Sequence, residues 1–120
     1  MGEKFKILVI DDDSGIRDSL AECMAAEGFA VATAINGQDG LERLRRERPG
    51  LVVVDLVMPV MNGHQFVAAV RADPALRDLP VVLMTGATPR SGHPQPAVDA
   101  LLPKPFELEE LIAVVKRFLA

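Results

Sequence analysis

Five short apolar runs, set apart mostly by segments of helical periodicity, constrain this chain more than anything else in it. They are Phe5 to Ile10, Phe29 to Ala34, Leu51 to Val54, Pro80 to Met84 and Ala100 to Leu102. Most are continuous rather than alternating, the pattern of strands buried on both faces of a sheet. Between them, Ser14 to Glu27 places Ile16, Leu20, Cys23 and Met24 on one helical face, with Asp13 or Ser14 as N-cap. Gln38 to Arg48 turns Leu41 and Leu44 inward and is stopped by Pro49-Gly50, and His64 to Ala72 carries a stripe of Phe66, Val67 and Val70. Glu107 to Leu119 offers Leu108, Leu111, Ile112, Val115 and Phe118, with its acids in the first turns where the helix dipole favours them. Alternating strands and helices predict an α/β chain with a parallel sheet covered on both faces. One stretch breaks the rhythm. Pro89 to Pro96 holds three prolines and a glycine in eight residues, so the fourth helix is expected to be missing or reduced to an irregular loop or a single turn.

In an open parallel sheet, ligands bind beyond the carboxyl ends of the strands. The first run is followed by Asp11, Asp12 and Asp13, the third by Asp55, the fourth by Thr85-Gly86 and the fifth by Pro103-Lys104-Pro105. Singly these are ordinary: Asp13 reads as a helix cap, Thr85 as a strand-end turn residue, Lys104 as a solvated charge. Their coincidence on one edge is hard to produce by chance. Crowded carboxylates repel, which raises their pKa values unless a cation neutralises them. Oxygen-only ligands with room for water suit Mg²⁺ rather than zinc or iron. A carboxylate beside Mg²⁺ and a lysine can attack a phosphoryl group and become an aspartyl phosphate. The metal and the ammonium then offset charge on the transferred oxygens, and a threonine hydroxyl can donate to one of them.

Composition narrows the alternatives. The chain has 120 residues, 49% of them apolar and 25% charged, with a formal net charge of −4. That length fits one compact domain over residues 1–120, without a second folded unit, and the apolar fraction excludes a disordered chain. The mild acidity argues against nucleic acid as a direct partner, since phosphate binding needs clustered Lys and Arg. The basic cluster of Arg43, Arg45, Arg46 and Arg48 reads as the solvated face of a helix. Cys23 stands alone, so neither an intramolecular disulfide nor a cysteine metal cage is available. No window reaches the ~18 apolar residues of a membrane span. With no signal peptide visible, the expected location is the reducing cytoplasm, away from membranes. His64 and His93 have no ligand partner at metal spacing and read as surface residues.

The chain resembles the receiver domain of two-component response regulators, the CheY-like family. The resemblance rests on Ile7-Leu8-Val9-Ile10-Asp11-Asp12, on Val54-Asp55-Leu56-Val57-Met58-Pro59 with Asn62-Gly63, on Met84-Thr85-Gly86 and on Leu102-Pro103-Lys104-Pro105-Phe106. These segments span nearly the whole chain in the family's order and spacing. The resemblance implies a flavodoxin-like, doubly wound five-stranded parallel sheet in the order 2-1-3-4-5. It implies Asp55 as the phosphoacceptor, and Asp11 and Asp12 as the acidic pair that holds Mg²⁺ with Asp55 and the Val57 backbone carbonyl. Thr85 matches the switch hydroxyl that moves toward the phosphoryl group, and Lys104 matches the lysine that contacts it. Lys104-Pro105 matches the family's cis bond, and Pro59 and Gly63 match the turn into the third helix. A sensor histidine kinase or a phosphotransfer protein would be the donor, an unidentified downstream protein the recipient, and homodimerisation is open. The module would have no catalytic output of its own beyond assisting its phosphorylation and dephosphorylation.

Other classes fit less well. An aspartyl-nucleophile phosphatase or phosphotransferase of the haloacid-dehalogenase type needs Asp-x-Asp after the first strand. Asp11-Asp12-Asp13 meets that trivially, but the cap region and the length are missing. A flavin- or nucleotide-binding module needs a Gly-rich loop where acids stand here. A degenerate receiver is disfavoured by the retention of Asp11, Asp12, Asp55, Thr85 and Lys104.

Two departures from the family pattern fall toward the response surface. The family's aromatic switch residue, three positions before the lysine, is Leu101 here, so aromatic coupling to Thr85 cannot operate in its usual form. The span from Thr85 to Lys104 is also short and proline-rich. Nearer the chemistry, the positions two after the phosphoacceptor and two after the threonine are Val57 and Ala87, neither able to position water by hydrogen bonding. Self-dephosphorylation is therefore expected to be slower than in receivers with polar side chains there. Decay of purified phosphoprotein in Mg²⁺ measures this, and rapid loss would refute it.

Overall fold

The computed structural model describes residues 6–86 and 98–119. Its elements run β1 (Ile7–Ile10), α1 (Ser14–Ala26), β2 (Val31–Ala34), α2 (Gly37–Arg46), β3 (Leu51–Asp55), α3 (Gly63–Ala72), β4 (Val81–Thr85), β5 (Ala100–Pro103) and α4 (Leu108–Leu119). The strands form one parallel sheet in the order β2-β1-β3-β4-β5, which is the order the resemblance implies. Residues 89–96, where the fourth helix of the family pattern is expected to be missing or reduced, lie outside the described residues.

Side chains alternate across the sheet and divide the core in two. Leu8, Ile10, Val52, Val54, Val81 and Leu83 pack with Leu41 and Leu44 of α2 and with Phe66, Val67 and Val70 of α3. Ile7, Val9, Leu51, Val53, Val82, Met84 and Leu102 pack with Leu20 and Met24 of α1 and with Leu111 and Val115 of α4. Every residue of β1, β3 and β4 is buried, so the runs carry no polar face and read as continuous. Each strand residue buried in this way contributes about 1.5–3 kcal/mol of apolar transfer free energy against the entropy of ordering it.

Caps set where the helices begin, and thereby where the loops of the carboxyl rim end. The Asp13 side chain accepts from the Ile16 N–H at 3.1 Å and starts α1. Asn36 accepts from the Asp39 N–H at 2.8 Å and starts α2. Asn62 and Gln65 exchange side-chain and backbone hydrogen bonds in a capping box that starts α3. The helical stripes extend less far than periodicity suggests. Ile16 is 40% exposed and Leu108 48%, because both stand in the first turn of a helix, at the edge of the apolar surface that its later turns cover.

The β3–α3 connection is the tightest part of the rim. The Gly63 N–H donates to the Leu56 carbonyl at 2.8 Å, and a Cβ on Gly63 would meet Leu56 Cα at 2.7 Å and the Asp55 carbonyl oxygen at 3.0 Å. Just before it, the Met61 N–H donates to the Pro59 carbonyl at 2.7 Å across Val60, whose φ is 69°. A β-branched residue in this left-handed region is strained, while its exposed side chain adds no packing. Substitutions at these two positions should therefore act in opposite directions. Gly63→Ala, which meets backbone rather than a yielding side chain, is expected to cost about 2–3 kcal/mol. Val60→Gly is expected to stabilise by up to about 1 kcal/mol, since glycine takes positive φ without a Cβ penalty. Urea unfolding of both variants measures the pair.

Candidate functional site

The parallel register brings the polar strand ends to one rim. Asp55 is the last residue of β3 and Thr85 the last of β4, and Asp11 follows β1 directly. Asp55 pairs with Met84, and Thr85 pairs with Pro103, immediately before Lys104. The Lys104 N–H donates to the Thr85 carbonyl at 2.7 Å, which continues the β4–β5 ladder one step and fixes where the lysine leaves the sheet. The Lys104–Pro105 peptide is cis.

Asp11, Asp12 and Asp55 each offer a carboxylate oxygen, and these atoms lie within 4.8 Å of one another. Burial differs among them: Asp11 is 1% exposed and Asp55 7%, while Asp12 is open to solvent. Lys104 Nζ lies 3.2 Å from Asp55 Oδ1, with the lysine side chain 30% exposed and that of the aspartate 10%. Thr85 is 4% exposed beside them. Val57 stands 74% exposed in the loop after β3, Pro59 is exposed, and Gly63 is buried beneath. Ala87 falls outside the described residues.

Asp11 has the least comfortable position. Its Oδ1 accepts from the Asp13 N–H at 2.9 Å, but Oδ2 is buried without a hydrogen-bond partner among the described residues. Burial pushes the Asp11 carboxyl above the usual carboxylate range. The Asp13 N–H pulls it down, Asp55 pushes it up, and Lys104 and Asp12 pull and push less strongly. An acceptor-only oxygen left in this state, next to two more carboxylates, fits a hard divalent cation that takes oxygen ligands. A residue that the sequence reading did not single out completes the turn. Arg17 Nη1 of α1 donates to the Asp11 backbone carbonyl at 3.0 Å. It stands four residues after the N-cap Asp13, but its partner is a main-chain oxygen, which residue types do not reveal.

The remaining positions sit apart from this cluster. Leu101 is half-buried and packs against the core on the α2/α3 side. His64 is exposed on α3, and His93 lies outside the described residues. Arg45, Arg46 and Arg48 are exposed and Arg43 is half-buried. Cys23 is half-buried and reduced. Among the described residues, no helix is long and apolar enough to cross a membrane.

The chain is similar to known proteins along nearly its whole length. The chain is 37% identical over 124 residues to response regulator Rre1 of Synechocystis sp., covering 100% of this chain and 54% of that protein. It is 38% identical over 117 residues to transcriptional regulatory protein PrrA of Mycobacterium tuberculosis, covering 95% of this chain and 49% of that protein. The chain thus spans about half the length of the curated relatives it matches. Among solved structures, chemotaxis protein CheY4 of Vibrio cholerae superposes with a TM-score of 0.85 at 28% identity, covering 97% of this chain and 99% of that one. Response regulator protein TrrA of Thermotoga maritima, solved in complex with Mg²⁺–BeF, superposes with a TM-score of 0.83 at 32% identity, covering 93% and 96%. The family model of the response regulator receiver domain matches residues 7–116, and this chain belongs to that family.

Proposed function

We propose that residues 1–120 form one receiver in which Asp55 accepts a phosphoryl group, with Mg²⁺ held by Asp11, Asp12, Asp55 and the Val57 backbone carbonyl. The observation that carries the reading is the cluster itself. Three carboxylates converge, one with a buried oxygen lacking a partner, and a lysine ammonium lies 3.2 Å from the proposed nucleophile. The Mg²⁺–BeF complex of TrrA supports the same chemistry for a related protein. Bound Mg²⁺ would neutralise the carboxylates and withdraw charge from the phosphoryl oxygens.

The chain's own groups do the rest. An Asp55 oxygen attacks phosphorus; the bond from phosphorus to the donor nitrogen breaks, and its electron pair leaves with the donor imidazole. Lys104, already against Asp55, follows the negative charge as it passes from the carboxylate to the phosphoryl oxygens. The Thr85 hydroxyl, at the neighbouring strand end, donates to one of those oxygens. Burial of Asp55 limits water at the new acyl phosphate, and Val57 beside it offers no group to orient one. The proposed donor is a sensor histidine kinase or a phosphotransfer protein in the cytoplasm. The output is recognition of the phosphorylated state by a downstream protein, with no turnover of a metabolite.

Two experiments test this reading. Incubation with Mg²⁺ and a small acyl phosphate is expected to give an acid-stable, base-labile phosphoryl group in the wild type and none in Asp55→Asn. Its absence from the wild type, or its persistence in the variant, overturns the reading. The second concerns Asp11. With its folded pKa raised, the native state holds more protons than the unfolded chain in the window just above the ordinary carboxylate pKa. Metal-free stability should therefore fall as pH rises through that window and stay lowered above it. Asp11→Asn keeps the acceptor for Asp13 N–H and removes the charge, so at pH 7.5 without divalent metal it is expected to be more stable by about 1 kcal/mol, roughly 4 °C in melting temperature. The variant should also lose the stabilisation that millimolar Mg²⁺ gives the wild type, a difference that calorimetry measures directly.

A further inference from the structure

The geometry points to Arg17 as a positioning residue for the metal site: through its bond to the Asp11 backbone carbonyl it holds the β1–α1 turn in the shape that presents Asp11 and Asp12. This inference rests on the functional reading above. Among the described residues, Arg17 makes no hydrogen bond or ion pair with a carboxylate oxygen. Its Nη1 bond of 3.0 Å goes to the main chain of Asp11 instead. It stands half-buried on α1, the helix that Asp13 caps.

The turn between β1 and α1 is held at three points. The Asp11 N–H donates to the Ala34 carbonyl at 3.3 Å, which ties the turn to the end of β2. Asp11 Oδ1 accepts from the Asp13 N–H at 2.9 Å, which fixes the side chain and leaves Oδ2 uncommitted. The Arg17 guanidinium then anchors the Asp11–Asp12 peptide plane to the helix, while the Arg17 N–H donates to the Asp13 carbonyl at 2.9 Å. Without the guanidinium, the peptide that joins the two acids loses its bond to α1. The exposed Asp12 side chain would then start from a less constrained backbone. Partners of this kind, which orient the ligands rather than bind the metal, commonly change metal affinity about tenfold or more.

Position and charge give opposite signs, which makes the inference testable. A cation near a cation site weakens metal binding, so if Arg17 acted only as a charge, its removal would tighten Mg²⁺. If it acts by position, removal weakens Mg²⁺. Arg17→Met and Arg17→Gln both replace it with good helix formers, so α1 is retained. Isothermal titration of the full chain with MgCl₂ is expected to show about a tenfold weaker dissociation constant in both variants. Amide NMR spectra should show changes confined to residues 11–13 and their neighbours, and Asp18→Asn on the same helix should bind as the wild type does. Unchanged or tighter Mg²⁺ binding in the Arg17 variants overturns the inference, as does a lower melting temperature with affinity unaltered. Failure of the wild type itself to bind Mg²⁺ overturns the functional reading, and the inference with it.

Discussion

The crowding of Asp11, Asp12 and Asp55 is the constraint on which the rest of the molecule turns. Negative charges this close, two of them buried, oppose the folded state, and an apolar sheet supplies nothing to offset them. They are kept together by backbone geometry. Parallel pairing aligns Ile10 with Val54 and Asp55 with Met84, so once the apolar strands pack, the acids have nowhere else to go. The Lys104 ammonium relieves part of the repulsion, and its own place follows from the β4–β5 pairing that puts Pro103 opposite Thr85. Pairing between strands distant in sequence thus holds a cluster that would disperse if the strands were free. The repulsion so held is what a bound divalent cation would relieve.

Much of this was legible in the sequence, for identifiable reasons. Strands buried on both faces leave continuous apolar runs, so β1, β3 and β4 were readable nearly to the residue. The residues closing those runs are the ones the structure brings together at the rim. Asp13 as N-cap followed from residue type and place. Periodicity misled at the helix starts. It assigns Ile16 and Leu108 to the inward stripe, yet both stand exposed in a first turn at the margin of the covered surface. Arg17 was invisible because its partner is a backbone carbonyl, and main-chain acceptors leave no trace in residue identity. Val60 hid for the opposite reason: a valine signals a strand, while the chain there turns through a left-handed residue that glycine or asparagine usually fills.

The relatives matched over about half their length place this chain within response regulators without saying what it controls. One departure from the family pattern lies on β5, at the edge of the sheet. Leu101 is packed against the α2/α3 side of the core, an aliphatic side chain in a place where the family pattern has a ring. A branched aliphatic chain offers neither a hydroxyl nor a flat face to a partner.

The division of the core by the sheet has a consequence of its own. Leu8 and Ile10 belong to one apolar cluster and Ile7 and Val9 to the other, with the hydrogen-bonded backbone between them. A change of volume on one face meets main chain before it meets the opposite cluster. Substitutions on the two faces should then combine additively, whereas neighbours within one face should not. The two helical layers are in this sense separate packing compartments. One can be recut for a new partner while the other keeps its packing, provided the shared rim of acids is left alone.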